Sequence, residues 1–312
     1  DDAQTDHLRA YGVVYTMLRE GVKVYWLLNY RGGSFAAEET RKGMLDARVQ
    51  GVAATTISPT EWARILETIE NNNMDKVTLE KAPEIAVYIP PGTLPWDDAV
   101  RLVLDYAEIP YDTVYDKEVV GGKLSQYDWL HLHHEDFTGQ YSKFYRSFRN
   151  TAWYQRQKMA LERIARETGF RKVSECKKAV ALAIRRYVED GGFMFAMCSG
   201  TNTLDITLAA LGTDIVGEPF DGDGVDPNYR AKLDFGNCFA FENFRIETNP
   251  MAGNFGDIDF CQVNTPRRQP AADFELFDFS AKLDPVPTML TQCHQRHVKG
   301  FHGLLTSYNK DV

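Results

Sequence analysis

Cys198 ends the apolar run Phe193-Met194-Phe195-Ala196-Met197 and stands ahead of Ser199-Gly200. A helix-forming stretch, 203–211, follows. A cysteine on a sharp strand-to-helix turn is lifted clear of the sheet, the arrangement of a nucleophile elbow. Small residues are needed two before and two after the nucleophile, and Ala196 and Gly200 supply them. The backbone N–H of Ser199 then points at a developing oxyanion. The positive end of the next helix favours thiolate over thiol. Such a site attacks acyl carbons. The competing reading is a cysteine packed in a tight turn of the core, since free Cys is among the most buried residue types.

The second constellation is His131-Leu132-His133-His134-Glu135-Asp136, which holds three of the seven histidines. Strand alternation puts His131 and His133 on one face, with Leu130 and Leu132 opposite. His134, Glu135 and Asp136 fall in the loop beyond. Two histidines and a carboxylate suit a metal ion, with His131, His133 and Glu135 as ligands. A His–carboxylate pair equally suits an oriented general base. A polar strand end with satisfied histidines is the plain alternative. The third constellation is Arg31-Gly32-Gly33-Ser34: the glycines allow close backbone approach, and Arg31 grips a carboxylate or phosphate. It lacks the spacing of a dinucleotide fingerprint or a P-loop, so a simple turn competes. The run 221–226 has acidic spacing like a calcium loop, but Asp226 and Lys232 stand where an EF-hand needs Gly and Glu. His294, His297 and His302 follow Cys198 in the chain, as a base partner would.

The elements that must position these groups read as follows. Apolar spacing predicts helices over 5–19, 59–71, 96–107, 151–168, 173–188 and 203–211, and a short one over 38–46. Ser58, Pro59 and Glu61 form a capping-box start. Buried-type strands are expected over 22–30, 52–57, 85–89, 127–133 and 193–197, and a weaker one over 114–120. Strands alternating with helices imply βαβ units and a parallel sheet. Ligands bind at the carboxyl ends of such strands. The Arg31 turn, the His134-Glu135 loop and Cys198 each follow a strand, so parallel pairing would bring all three to one edge. The expected fold class is α/β, a flavodoxin-like parallel sheet with helices on both faces and a β-rich insertion. The α/β domain spans 1–212, an irregular or β-rich insertion 213–280, and 281–312 returns to the domain.

Composition bounds the function classes. The chain has 312 residues, 44% hydrophobic and 25% charged, ordinary for a soluble globular protein. A net charge of −9 argues against a nucleic-acid partner. No apolar run reaches the ~18 residues of a membrane span. Five cysteines at wide spacing, with no CxxC, write neither a zinc ribbon nor a disulfide scaffold. Reduced thiols fit best, and both a cytoplasmic and a periplasmic location stay open.

On these residues the chain resembles a known superfamily. The elbow Phe195-Ala196-Met197-Cys198-Ser199-Gly200 on a parallel sheet is similar to the class I glutamine amidotransferase-like superfamily. That likeness implies a flavodoxin-like fold and a Cys nucleophile served by a later His and Glu. More closely, several stretches resemble a bacterial family labelled "asparagine synthetase B". They are residues 26–35, 133–140, 279–282, 285–292 and 298–301, and the likeness runs over nearly the whole chain. The chain carries no SGGxDS loop for ATP pyrophosphate chemistry and no N-terminal Cys. Members of that family begin with a strand ahead of Asp1 and continue beyond Val312 with a Gly- and His-containing segment.

The expectation is therefore a Cys-dependent hydrolase acting on an amide or related acyl carbon. Cys198 attacks, Ser199 N–H holds the oxyanion, and His302 is the in-chain candidate for the proton shuttle. His134 and Glu135 line the pocket, and Arg31 with Gly32 and Gly33 holds a substrate carboxylate. No cofactor is implied. The partner is a small-molecule substrate, with a protein partner or homo-oligomer left open. The alternatives are a non-catalytic binding protein on the same fold and a metal-dependent hydrolase at His131, His133 and Glu135.

Overall fold

The computed structural model describes residues 4, 6–72, 74–93, 98–258, 273–275, 297–299 and 311–312. The chain divides into two compact units. The first comprises Asp1–Pro83, Leu94–Pro110 and Ala271–Gly300. The second comprises Glu84–Thr93, Tyr111–Pro270 and Phe301–Val312. The compositional boundary at Gly212 falls inside the second unit.

The first unit begins with helix α1 (His7–Arg19), whose first turn is capped by the Asp6 carboxylate accepting from Arg9 N–H at 3.1 Å. Strand β1 (Val24–Leu28) is flanked by β2 (Ser34–Ala37) and β3 (Asp75–Leu79), both antiparallel to it. This corrects one expectation: β1 is the centre of an antiparallel sheet and not a strand of the parallel one. The reason is the short turn after it. Residues 29–33 reverse the chain directly into β2, and a parallel return needs a long crossover. Strand β3 escaped the sequence reading because Asp75, Lys76, Val77 and Thr78 are all exposed and show no buried face. Residues 52–57, expected as a strand, form none. Helices α2 (Arg41–Val49), α3 (Pro59–Asn71) and α4 (Ala99–Tyr106) belong to the same unit. The capping box is in place at α3: Ser58 Oγ accepts from Glu61 N–H, and the Glu61 carboxylate accepts from Ser58 N–H at 2.7 Å.

The second unit is built on four parallel strands: β4 (Ile85–Tyr88), β5 (Asp112–Val114), β6 (Trp129–Leu132) and β7 (Phe193–Ala196). Their order is β5-β4-β6-β7. Counted along the chain this is 2-1-3-4, the winding of flavodoxin-like sheets, with its switch point between β4 and β6. The protein is thus an α/β protein with a parallel sheet, as expected. Residues 114–120, expected as a strand, divide into the end of β5 and helix α5 (Asp116–Val120). The Glu118 carboxylate accepts from Tyr115 N–H at 3.1 Å, and this cap starts the helix there.

Helices α6 (Tyr145–Phe148), α7 (Ala152–Glu167) and α8 (Val173–Glu189) connect β6 to β7. The main core joins Tyr88, Leu130 and Leu132 of the sheet to Val180, Ala181 and Ile184 of α8, all fully buried. Helix α9 (Ser199–Ala209) follows β7 and is buried nearly throughout, its polar Asn202, Thr203, Asp205 and Thr207 included. Over the described residues 213–258 the chain is largely irregular, with little of the β structure expected there. It carries the short helix α10 (Glu218–Asp221) and the bridge Ile246–Gly256. The Asp205 carboxylate on α9 anchors this segment by accepting from the N–H groups of Phe239, Ala240 and Phe241 at 2.8–2.9 Å. In the first unit, β8 (Asp273–Glu275) pairs with β9 (His297–Lys299), antiparallel.

Candidate functional site

Two of the three constellations meet at the carboxyl edge of the parallel sheet. Leu132 and Ala196 are register partners at the ends of β6 and β7. The loops beyond them are joined by backbone bonds, Met197 N–H to Leu132 O and Gly200 N–H to His133 O, both 2.9 Å. The Thr203 hydroxyl, buried on α9, donates to Glu135 O at 2.9 Å and accepts from Phe137 N–H at 3.3 Å. The Cys198 turn and the His134-Glu135 loop are therefore one hydrogen-bonded assembly.

Cys198 has the backbone of an elbow. Its φ is 50° and its ψ −138°, a combination that L-residues rarely adopt. Holding it costs on the order of 1–3 kcal/mol, which the surrounding bonds must offset. The side chain is exposed, so the packed-core reading does not apply. Gly200 is required by contact rather than by φ. A Cβ there would lie 2.6 Å from the His133 carbonyl oxygen. Ser199 opens α9, and the first N–H groups of a helix have no partner within it.

The elbow opens onto a cavity of about 830 Å³. Its wall includes Ile89 and Pro90 beyond β4, His134, Glu135 and Asp136 beyond β6, and Cys198, Ser199 and Asn202 beyond β7. The cavity thus sits at the switch point, where the winding of the strands leaves a crevice.

Sequence reasoning missed the cavity's buried cation. Lys177 on α8 is 2% exposed and reaches Asp116 Oδ1 at 2.8 Å, Tyr88 OH at 2.9 Å and Tyr115 OH at 3.2 Å. Tyr88 OH also donates to Asp116 Oδ1. Burial works against the ammonium, but the Asp116 and Tyr115 groups outweigh it and hold Lys177 above the ordinary lysine value. Burial and the Asp116 charge push the Tyr88 phenol well up. The signal was present in the sequence. Val173, Cys176, Lys177, Val180, Ala181 and Ile184 form one helical stripe, and a lysine inside an apolar stripe needs a buried partner. Asn202 was missed as well. It is 3% exposed, lines the cavity, and its Oδ1 has no hydrogen-bond partner.

The loop after Asp136 is equally built. Tyr141, Ser142 and Lys143 take φ values of 51°, 59° and 57°, three left-handed residues in succession. Each costs about 1–2 kcal/mol. Asp136 holds the turn: Oδ2 accepts from Ser142 N–H at 2.7 Å and Oδ1 from Thr138 N–H at 2.7 Å. Lys143, 3% exposed, donates to the carbonyls of Glu247 at 2.8 Å and Asn249 at 3.2 Å. Burial pushes its ammonium down to about 8.

The other expected residues lie elsewhere. Arg31, Gly32 and Gly33 form the turn between β1 and β2 in the first unit, so they are not on the edge of the parallel sheet. The Arg31 guanidinium lies over the Tyr30 ring at 5.6 Å. His302 and His294 are outside the described residues. His131 is 1% exposed on β6 and stacks against Phe195 at 5.9 Å, and its ring lies 6.1 Å from that of His133. Among the described residues, the cluster with metal-ligand atoms within 4.8 Å of one another is Asp214, Asp221 and Asp223, and not His131, His133 and Glu135. That acidic cluster already holds a cation. Lys172 Nζ bridges Asp214 at 3.1 Å and Asp221 at 3.4 Å, and also meets Asp223. The calcium-like run is thus a lysine-centred ion-pair network. No helix of the described residues is long and apolar enough to cross a membrane.

Fold and site together define an α/β protein with a cysteine elbow at the carboxyl edge of a parallel sheet. Comparison of the chain with family models, with curated proteins and with solved structures gave no match.

Proposed function

We propose that this chain is a thiol-dependent hydrolase acting on an amide or related acyl carbon, with Cys198 as nucleophile. The observation that carries the reading is the strained, exposed Cys198 between a parallel strand and a helix, at the wall of a large cavity. His134 is the cavity's histidine among the described residues, and it takes the role expected of His302. In the proposed cycle Cys198 gives its proton to the His134 imidazole as Sγ bonds to the acyl carbon. The carbonyl oxygen takes the electron pair and faces the Ser199 N–H. Collapse expels the amine, which takes the proton from His134 and leaves a thioester on Cys198. Water then attacks that thioester and releases a carboxylic acid and the free thiol. The resemblance to glutamine amidotransferase-like proteins supports the same chemistry. The test is hydrolysis of amide and activated-ester substrates by wild type and Cys198→Ala, with circular dichroism to confirm the fold. Turnover should vanish in the variant, and turnover retained there overturns the proposal.

One observation favours a second reading. A buried acceptor without a donor, as at Asn202, also suits a protein that captures a ligand without converting it. Ligand binding by a wild type that hydrolyses nothing would select that reading.

A further inference from the structure

The cavity does not end at its polar wall. Phe144 lines it and also belongs to a group of three large exposed rings. Phe144 is 41% exposed, Phe148 38% and Trp153 39%. Their centroids are mutually close: 5.7 Å between Phe144 and Phe148, 5.7 Å between Phe144 and Trp153, and 5.1 Å between Phe148 and Trp153. The chain of rings continues inward through Tyr154, 6.0 Å from Trp153, to Tyr141, which also lines the cavity.

Scattered surface aromatics need no explanation, but a contiguous aromatic patch at a cavity rim marks a binding surface. This one is fixed in place. Phe144 directly follows the left-handed turn Tyr141–Lys143, which Asp136 ties from one side and Lys143 ties to Glu247 and Asn249 from the other. A strained backbone held by a buried ammonium and a half-buried carboxylate is a costly way to present a ring, unless the ring has a use. Phe144 meets Phe148 and Trp153 edge to face, at 90° and 78°, and each ring keeps more than a third of its surface exposed, so a further aromatic ring can pack against the group.

We propose that Phe144, Phe148 and Trp153 form a subsite for an aromatic group of the substrate, set apart from the carbonyl that Cys198 attacks. The substrate class is then an acyl compound with an aryl-bearing tail, rather than a small unsubstituted amide. The inference rests on the hydrolase reading for what happens at Cys198, but not for what binds at the rim. Continuity through Phe144 is what commits the patch to the cavity's ligand and not to a separate protein.

The test is equilibrium binding of phenylpentanamide and of pentanamide, by calorimetry, in the Cys198→Ala background so that turnover plays no part. Phenylpentanamide should bind the tighter by about tenfold or more, and Trp153→Ala should remove about that factor, which is ~1.4 kcal/mol. Trp153→Phe should restore most of it. Phe148→Ala provides a second probe if Trp153→Ala folds poorly. Equal affinity for the two amides, or no loss in either alanine variant, overturns the proposal. So does a drop in oligomeric mass caused by Trp153→Ala in sedimentation, which would assign the patch to contact between copies. If wild type binds the aryl amide as predicted but hydrolyses no substrate, the hydrolase reading fails and the subsite stands.

Discussion

Thiol reactivity offers a test that needs no substrate. Three cysteines are described, and their surroundings differ. Cys198 is exposed on the elbow, Cys176 is buried in the α8 stripe, and Cys238 is partly buried. Burial raises the Cys176 thiol, and burial together with the Asp205 charge pushes Cys238 up to about 12. Alkylation proceeds through the thiolate. At pH 7.5 a thiol at about 12 is ionised to only ~3 × 10⁻⁵, against ~0.1 for an ordinary exposed thiol near 8.5. The more basic thiolate is the better nucleophile, with a Brønsted slope of about 0.4–0.5, which returns roughly 1.6 of those ~3.5 log units. The net handicap for Cys238 is about a hundredfold before any steric occlusion is added. Among the described cysteines, Cys198 should therefore be the first alkylated by iodoacetamide at pH 7.5, read by peptide mass mapping over time. The Cys238 rate should keep climbing about tenfold per pH unit through pH 10, because its thiolate fraction is still far from complete. If Cys238 or Cys176 is modified as fast as Cys198, the elbow is not accessible and the reasoning about this site fails.

Other consequences follow from the same geometry. Gly200→Ala places a Cβ 2.6 Å from the His133 carbonyl, so it should cost about 1–3 kcal/mol in urea denaturation and slow Cys198 alkylation by displacing the turn. Unchanged stability and unchanged reactivity would refute the contact. Lys177→Met leaves Asp116, 1% exposed, without its cation, and should destabilise by about 3–5 kcal/mol. The double variant Lys177→Met/Asp116→Leu should regain much of that loss, and no recovery would mean that packing rather than charge dominates. Lys143 has a folded-state value near 8 against 10.5 unfolded, so the unfolded chain binds the extra proton between those values. Its contribution to stability should therefore rise with pH from about 8 to about 10.5, by at most ~3 kcal/mol. The difference between wild type and Lys143→Met across pH 7–10 isolates it, and a flat difference overturns the assignment.

Much of the site was legible in the sequence because its signals are local. An apolar strand, a cysteine, two small residues and a helix are contiguous, and such a run constrains its own backbone without reference to the rest of the chain. The elbow at Cys198 and the loop at His134 and Glu135 accordingly lie where their strands end. The capping box at Ser58 is local in the same sense.

What the sequence could not settle were relations across distance. Whether β1 joins the parallel sheet depends on its pairing partners, and β3, which pairs with it, shows no apolar face to read. Arg31 joins the other constellations only if its strand belongs to their sheet, and β1 pairs in the antiparallel one instead. Lys177 could be seen to need a partner, but the partner, Asp116, is 61 residues away and is supplied only when α5 packs on α8. The acidic run at 221–226 resembled a calcium loop until Lys172, from another part of the chain, filled it. Local backbone chemistry thus fixed where the elbow cysteine stands. Tertiary packing decided which charges neutralise each other and what shares the cavity with Cys198, because pairing energies depend on contacts that sequence separation does not encode.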